Sequence, residues 1–172
     1  MRAGLIVNFL AIDVGWLLCV TGPKWGLPWI GPAFVTGHLV AHHFLNKPNR
    51  AERILIAAIG LVGFFIDSLL SVAGLLSFPY TIVAPVWLVA LWVNLATGVN
   101  QSLSLLGKKP WVGALFGAIG GPLAYLGGAK IGDISLSDPM WHSMAALSVV
   151  WAIVFPGFFW LKDLLEKKIG PS

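Results

Sequence analysis

The stretch Ile54-Leu55-Ile56-Ala57-Ala58-Ile59-Gly60-Leu61-Val62-Gly63-Phe64-Phe65-Ile66-Asp67-Ser68-Leu69-Leu70-Ser71-Val72-Ala73-Gly74-Leu75-Leu76 is a run of 23 residues with one ionisable side chain, Asp67. A hydrocarbon core of about 30 Å is crossed by about 20 residues of helix, each rising about 1.5 Å. Lipid-facing backbone must satisfy its own hydrogen bonds, so one long apolar run reads as a transmembrane helix rather than as barrel strands. Further runs bounded by Gly, Pro and charge stand on either side, at about 4–21, 27–45, 81–106, 111–129 and 141–161. With 54–76 they make about six spans in a chain of 172 residues, which leaves almost no extramembrane domain. The expected fold is an all-α polytopic membrane bundle, a single integral membrane domain over residues 1–172.

Composition supports this reading. The chain is 58% hydrophobic and 10% charged, where a soluble domain carries about 25% charged residues. A lone cysteine, Cys19, excludes a disulfide framework or a cysteine-based metal site within one chain. The stretch after Arg2 resembles a secretory signal only superficially. It is long enough to span and is followed by Thr21-Gly22-Pro23-Lys24 rather than a small-residue cleavage pattern.

The net charge of +4 belongs to short loops, so it points to orientation in a bilayer and not to nucleic acid. With the N-terminus inside, nine cations lie inside (Arg2, Lys47, Arg50, Arg53, Lys108, Lys109, Lys162, Lys167, Lys168) and two, Lys24 and Lys130, outside. Cytoplasmic loops carry such an excess, so both termini are expected in the cytoplasm. Losing one span would break the alternation. Trp25, Trp29, Trp87, Trp111, Trp141 and Trp160 fall near the predicted ends, as interfacial belts do. The tail from Lys162 to Lys168 reads as an extension of the last helix into the headgroups.

Polar residues inside the spans are the candidates for function, because each is costly in hydrocarbon. Asp67 shares a small-residue face with Gly60, Gly63, Ser71 and Gly74, and it either locks two helices or takes part in proton transfer. Asp13, near the middle of the first span, is the second candidate catalytic residue, and the two would couple if they shared a cavity. In the fourth span Asn94, Thr97, Gln101 and Ser104 follow intervals of three and four, with Asn100 on the adjoining side. That stripe serves as interhelical glue or lines a site. With Ser102, Tyr125 and His38 these residues form the candidate pocket lining. His38 is expected to be buried, and His42 and His43 to sit at the interface. No metal or cofactor is expected. Ser77-Phe78-Pro79 joins the third and fourth spans so tightly that they must be antiparallel neighbours. Gly113, Gly117 and Gly121 give the fifth helix a close-packing stripe, which predicts a central position for it.

These features together resemble a known family. Asn8-Phe9 with Gly15-Trp16, Asp67-Ser68, Leu91-Trp92 with Ala96-Thr97 and Asn100-Gln101-Ser102-Leu103, and above all Gly117-Ala118 with Gly120-Gly121-Pro122-Leu123-Ala124-Tyr125-Leu126-Gly127-Gly128 are similar to the bacterial inner-membrane family of domain of unknown function 2878. The resemblance runs close to full length. Members of similar appearance often carry Gln in place of Asp13 and His in place of Gln101, so a role of that histidine does not transfer. The resemblance implies a multi-pass inner-membrane protein associated with lipid modification, as enzyme or accessory subunit. It implies membrane lipids and a lipid-modifying membrane enzyme as partners; a homo-oligomer is a separate expectation, since six short spans suffice for a carrier when two copies assemble. A non-catalytic structural partner of a membrane enzyme and a small proton-coupled transporter are the alternatives from other classes.

Overall fold

The computed structural model describes residues 2–169, with side chains from Gly4 onward. The side chain of Arg2, counted among the inner cations, lies outside the described residues. The described residues form six α-helices: α1 (Arg2–Thr21), α2 (Ile30–Asn46), α3 (Arg50–Val72), α4 (Val86–Ala96), α5 (Pro110–Ile131) and α6 (Trp141–Ile169). Tight 3-10 turns occupy Pro23–Trp25 and Ser104–Lys108, and a short ribbon pairs β1 (Leu76–Ser77) with β2 (Ser135–Leu136). Four helices, α1, α3, α5 and α6, are long and apolar enough to cross a membrane. Helix α2 has 17 residues and α4 only 11.

Local chemistry sets the ends of α3. Asn49 accepts the Glu52 backbone N–H at 2.8 Å, satisfying one of the donors a helix start leaves free. At the other end Gly74 adopts φ +72°, the Gly74 N–H bonds the Ser71 carbonyl, and the Leu75 N–H reaches back to the Leu70 carbonyl. That double closure is the Schellman stop, which needs the left-handed conformation glycine tolerates. The apolar run continues to Leu76, but the helix ends at Val72 and the remainder turns into β1.

The expected unbroken span 81–106 is corrected more strongly: α4 covers Val86–Ala96, and the chain then passes through turns to Lys108. Hydroxyl and amide side chains compete with the helix for its backbone groups. The Thr97 hydroxyl donates to the Asn94 carbonyl at 2.7 Å, and the Gly98 and Val99 amides close tight turns onto Leu95 and Ala96. Gln101 and Ser104 therefore do not continue a face of α4. The Ser104 hydroxyl instead bonds the Gln101 carbonyl.

The ribbon fixes how the helices run. Leu76 pairs with Leu136 and Ser77 with Ser135, so the C-terminal ends of α3 and α5 lie at the same end of the bundle. The Ser143 hydroxyl donates to the Leu75 carbonyl at 2.5 Å, bringing the start of α6 to this ribbon end. Val20 near the end of α1 lies against Gly132, and Cys19 lies against Gly31 at the start of α2. At the far end Asn8 meets Ser102, His42 meets Glu52, and Phe159 covers Gly107. The six helices therefore alternate in direction.

Helix α4 occupies the centre, packed on α1, α2 and α3. As expected, α3 and α4 are antiparallel neighbours, with Val93 seated over Gly60 and Trp92 over Gly63. The central place predicted for α5 is corrected. Its small-residue stripe receives Trp151 and Phe155 of α6, while Leu115, Ile119 and Leu123 on its other face are exposed. Close packing by glycines requires one partner helix, which α6 supplies, and does not require a central position.

Candidate functional site

Asp67 is fully buried at the junction of three helices. The Trp92 indole N–H of α4 donates to its Oδ2 at 2.6 Å, and the Tyr125 hydroxyl of α5 donates to its Oδ1 at 2.5 Å. An indole N–H can only donate, so a carboxyl oxygen is a natural partner for it inside a membrane. Gly63 permits the arrangement, because a Cβ there would fall 2.1 Å from the Trp92 ring. Trp92 also stacks on Trp151 of α6, with centroids 4.7 Å apart and an interplanar angle of 8°. One aspartate thus ties α3 to α4 and α5, and an aromatic stack extends the tie to α6.

A second network surrounds the end of α4. Asn94, fully buried, donates through Nδ2 to the carbonyls of Ala11 and Ile12 at 3.3 and 3.2 Å, and its Oδ1 lies 2.7 Å from Nδ1 of His38. Its oxygen can only accept, so Nδ1 of His38 carries the donated proton. Asn8 of α1 donates to the Thr97 hydroxyl at 3.0 Å, while its Oδ1 accepts from the Ser102 hydroxyl at 2.7 Å and the Ser102 N–H at 3.4 Å. These side chains replace the bonds that a continuous helix would have supplied. The Asn100 Oδ1 is buried without a partner among the described residues.

Two expectations about the histidines change. His42, placed at the interface from sequence, is 3% exposed, whereas His38 is only partly buried. His42 is held by Glu52 at 3.0 Å and by Asn46 at 3.1 Å, so the α2–α3 hairpin folds over it. The Glu52 that pairs with it sits in the first turn of α3, a position hidden from helical-spacing arguments within α2.

A cavity of about 300 Å³ lies between α1, α4, α5 and α6. That is the lower end of the range for small-molecule sites, roughly 300–1,000 Å³. Its wall is almost wholly apolar. Trp92, Tyr125 and Trp151 line it, as do Asn94 and Asp13, but Asp67 does not. The two candidate catalytic aspartates therefore do not face a common space: Asp67 is buried, held by Trp92 and Tyr125, and Asp13 is exposed at the margin. Phe9 of α1 and Phe116 of α5 also line the cavity and are 51% and 45% exposed, so it reaches the bundle surface between these helices. Nearer the ribbon end α1 and α5 meet again, where Trp16 faces Gly127.

Of the predicted pocket residues Asn94 and Tyr125 reach this cavity, and of the two candidate catalytic residues Asp13 does. Thr97, Ser102 and His38 belong to the network behind it, and Asn100 and Gln101 stand in the turn segment. Sequence reasoning gave no site role to Asn8, Trp92 or Trp151. An amide within the apolar first span, five residues before Asp13, was the available signal for Asn8; the tryptophans carried none, since nothing in their spacing separates a partner of Asp67 from a lipid-facing ring.

No curated protein and no solved structure matches this chain. A family model does match, over residues 5–157. That match covers α2 to α5 whole, most of α1 and the first part of α6, with every residue of the Asp67 tie, and by it the chain belongs to DUF2878, a family of proteins of unknown function.

Proposed function

We propose that the protein crosses a bacterial inner membrane six times, with both termini cytoplasmic, and holds a lipid chain in the cavity between α1 and α5. Support for the topology comes from the alternating helices together with the charge pattern. The far end gathers the cations of the 46–53 and 108–109 segments and of the α6 tail, while the ribbon end has Lys24 and Lys130. Helix α4 rises only about 16 Å, and the turns from Thr97 to Lys108 carry the chain the rest of the way. Non-helical backbone at that depth is tolerated where its polar groups find protein partners, and Asn8 gives one to the Ser102 N–H.

The observation that carries the lipid reading is the sideways opening of an apolar cavity between two helices whose outer faces are themselves apolar. A lipid chain enters such a groove without leaving hydrocarbon. Asp67 serves in this reading as a positioning residue, which holds Trp92 and Tyr125 in the groove wall. A lipid-modifying membrane enzyme is the natural partner, with this chain as its accessory subunit or as an enzyme in its own right.

Whole-cell lipid profiling by mass spectrometry tests the proposal. A deletion strain is compared with strains restored by wild type or by Gly120→Leu at matched abundance. Gly120 lines the cavity, and a Cβ there meets only the Phe116 ring at ordinary contact distance, 3.8 Å, so a leucine is expected to start without a clash and extend into the groove. The deletion is expected to alter the acyl-lipid profile, and only wild type to restore it. An unchanged profile in the deletion strain overturns the proposal.

A further inference from the structure

Asp13 is the one charged side chain that lines the groove, and among the described residues its carboxyl meets neither a hydrogen-bond donor nor a cation. Other polar groups of the wall are engaged within the protein: the Asn94 amide donates to the carbonyls of Ala11 and Ile12, and the Tyr125 hydroxyl donates to Asp67. Helical spacing sets the place of Asp13 on the wall. Phe9, Asp13, Trp16 and Val20 follow intervals of four, three and four along α1, and all four line the groove, so the carboxyl belongs to the groove-facing stripe with an aromatic ring on either side. Ala124 lines the opposite wall seven residues before the end of α5, and Asp13 lies eight before the end of α1, so the carboxyl faces a small residue at a similar depth.

That depth decides what can compensate it. Asp13 stands about 12 Å below the ribbon end, and no Lys or Arg lines the groove. Intramembrane acids are costly and are found where a partner offsets their charge. A neutral chain brings no such partner, and a phosphate or carboxylate head would repel the carboxylate strongly in low dielectric. The ammonium groups of phospholipids lie at the membrane surface beside a phosphate, out of reach of this level. An ammonium head without a phosphate fits, because it pairs with the carboxylate, and the rings of Phe9 and Trp16 offer π faces that attract a desolvated cation.

We infer that the groove takes a single-chain lipophilic cation, its ammonium head at Asp13 and its hydrocarbon chain along the apolar wall. Resting on the groove reading above, this names the class of occupant. Asp13 selects the charge, and the aromatic and aliphatic lining accepts the chain.

The test measures saturable binding of tritiated hexadecyltrimethylammonium, hexadecanol and hexadecanoate to the full chain in phosphatidylcholine nanodiscs, with empty nanodiscs as background. The quaternary head keeps its charge at every pH. Wild type is expected to bind the cation about tenfold more tightly than the alcohol, and hexadecanoate most weakly. Asp13→Asn, at an exposed position, keeps the shape and removes the charge, and it is expected to bring cation and alcohol level. Should that variant not fold, the order of the three ligands on wild type decides. Equal binding of cation and alcohol by wild type, hexadecanoate binding as tightly as the cation, or a cation preference that survives Asp13→Asn overturns the inference and leaves the groove standing. If Gly120→Leu binds the cation and the alcohol as wild type does, the groove reading falls, and the inference with it.

Discussion

Asp67 shows how a single costly residue is made stable. Both carboxyl oxygens are occupied, and the donors come from different helices, Trp92 of α4 and Tyr125 of α5. Replacing it by Ala orphans two buried donors, which is expected to cost about 2–5 kcal/mol. Asp67→Asn retains one acceptor, and its amide can donate to the tyrosine oxygen, so a smaller loss of about 1–2 kcal/mol is expected. Thermal unfolding in detergent should rank wild type above Asn above Ala; equal melting of all three would show that the tie contributes nothing. The glycines of α5 give a second residue-scale prediction. A Cβ at Gly117 would fall 2.3 Å from the Trp151 carbonyl, and one at Gly121 would fall 2.2 Å from the Trp151 ring. Gly117→Ala and Gly121→Ala should each destabilise by about 1–3 kcal/mol through overpacking, while Gly120→Ala should be neutral or slightly stabilising. Similar melting of all three alanine variants would contradict the packing described for α5 and α6.

At the scale of elements, α4 is the unusual member. Its polar stripe has the spacing of a helix face, yet the helix stops at Ala96 and the rest of the stripe serves the turns that follow. The amides and hydroxyls at Asn8, Asn94, Thr97 and Ser102 are mostly spent on one another and on backbone, which makes them supports of an interrupted helix. Asn8 is the outside contributor, accepting both the N–H and the hydroxyl of Ser102. Asn8→Ala is therefore expected to accelerate amide hydrogen exchange at Ser102 by at least tenfold in nanodiscs, with little change in the first turns of α4. Uniform acceleration along α4, or none at Ser102, would show that the turn segment does not depend on α1. Periodicity made the polar character of this segment visible. It could not reveal the break, because the same residues satisfy a helix face and a run of turns.

For the whole molecule, the ribbon and the alternating helices predict which loops share a side. Single cysteines at Lys24 and Ser135 should react with a membrane-impermeant maleimide in intact cells with the outer membrane permeabilised, whereas those at Asn49 and Lys168 should react only after lysis. Cys19 is fully buried and is expected to stay unlabelled throughout. Labelling of Asn49→Cys from outside would overturn the proposed orientation. Labelling of Lys24→Cys and Ser135→Cys from opposite sides would overturn the arrangement of helices itself. The groove is also a property of this scale, since α1 and α5 are neighbours only after α4 has taken the centre.

From its sequence alone this chain is determined to be helical and built for lipid, because hydrophobic run length and sparse charge act locally and leave the backbone no other way to satisfy itself. The unusual cost of Asp67 and the polarity of the 94–104 segment were also legible there, since each is a departure from an apolar background. Only the tertiary structure decided that Asp67 is held by Trp92 and Tyr125 and set back from the groove, that Asp13 stands apart at the margin, and that α4 rather than α5 is central. These depend on contacts between residues far apart in the chain, 94 positions in the hydrogen bond of Ser102 to Asn8. A period along one helix says which side is polar, while what that side meets depends on how all six helices pack.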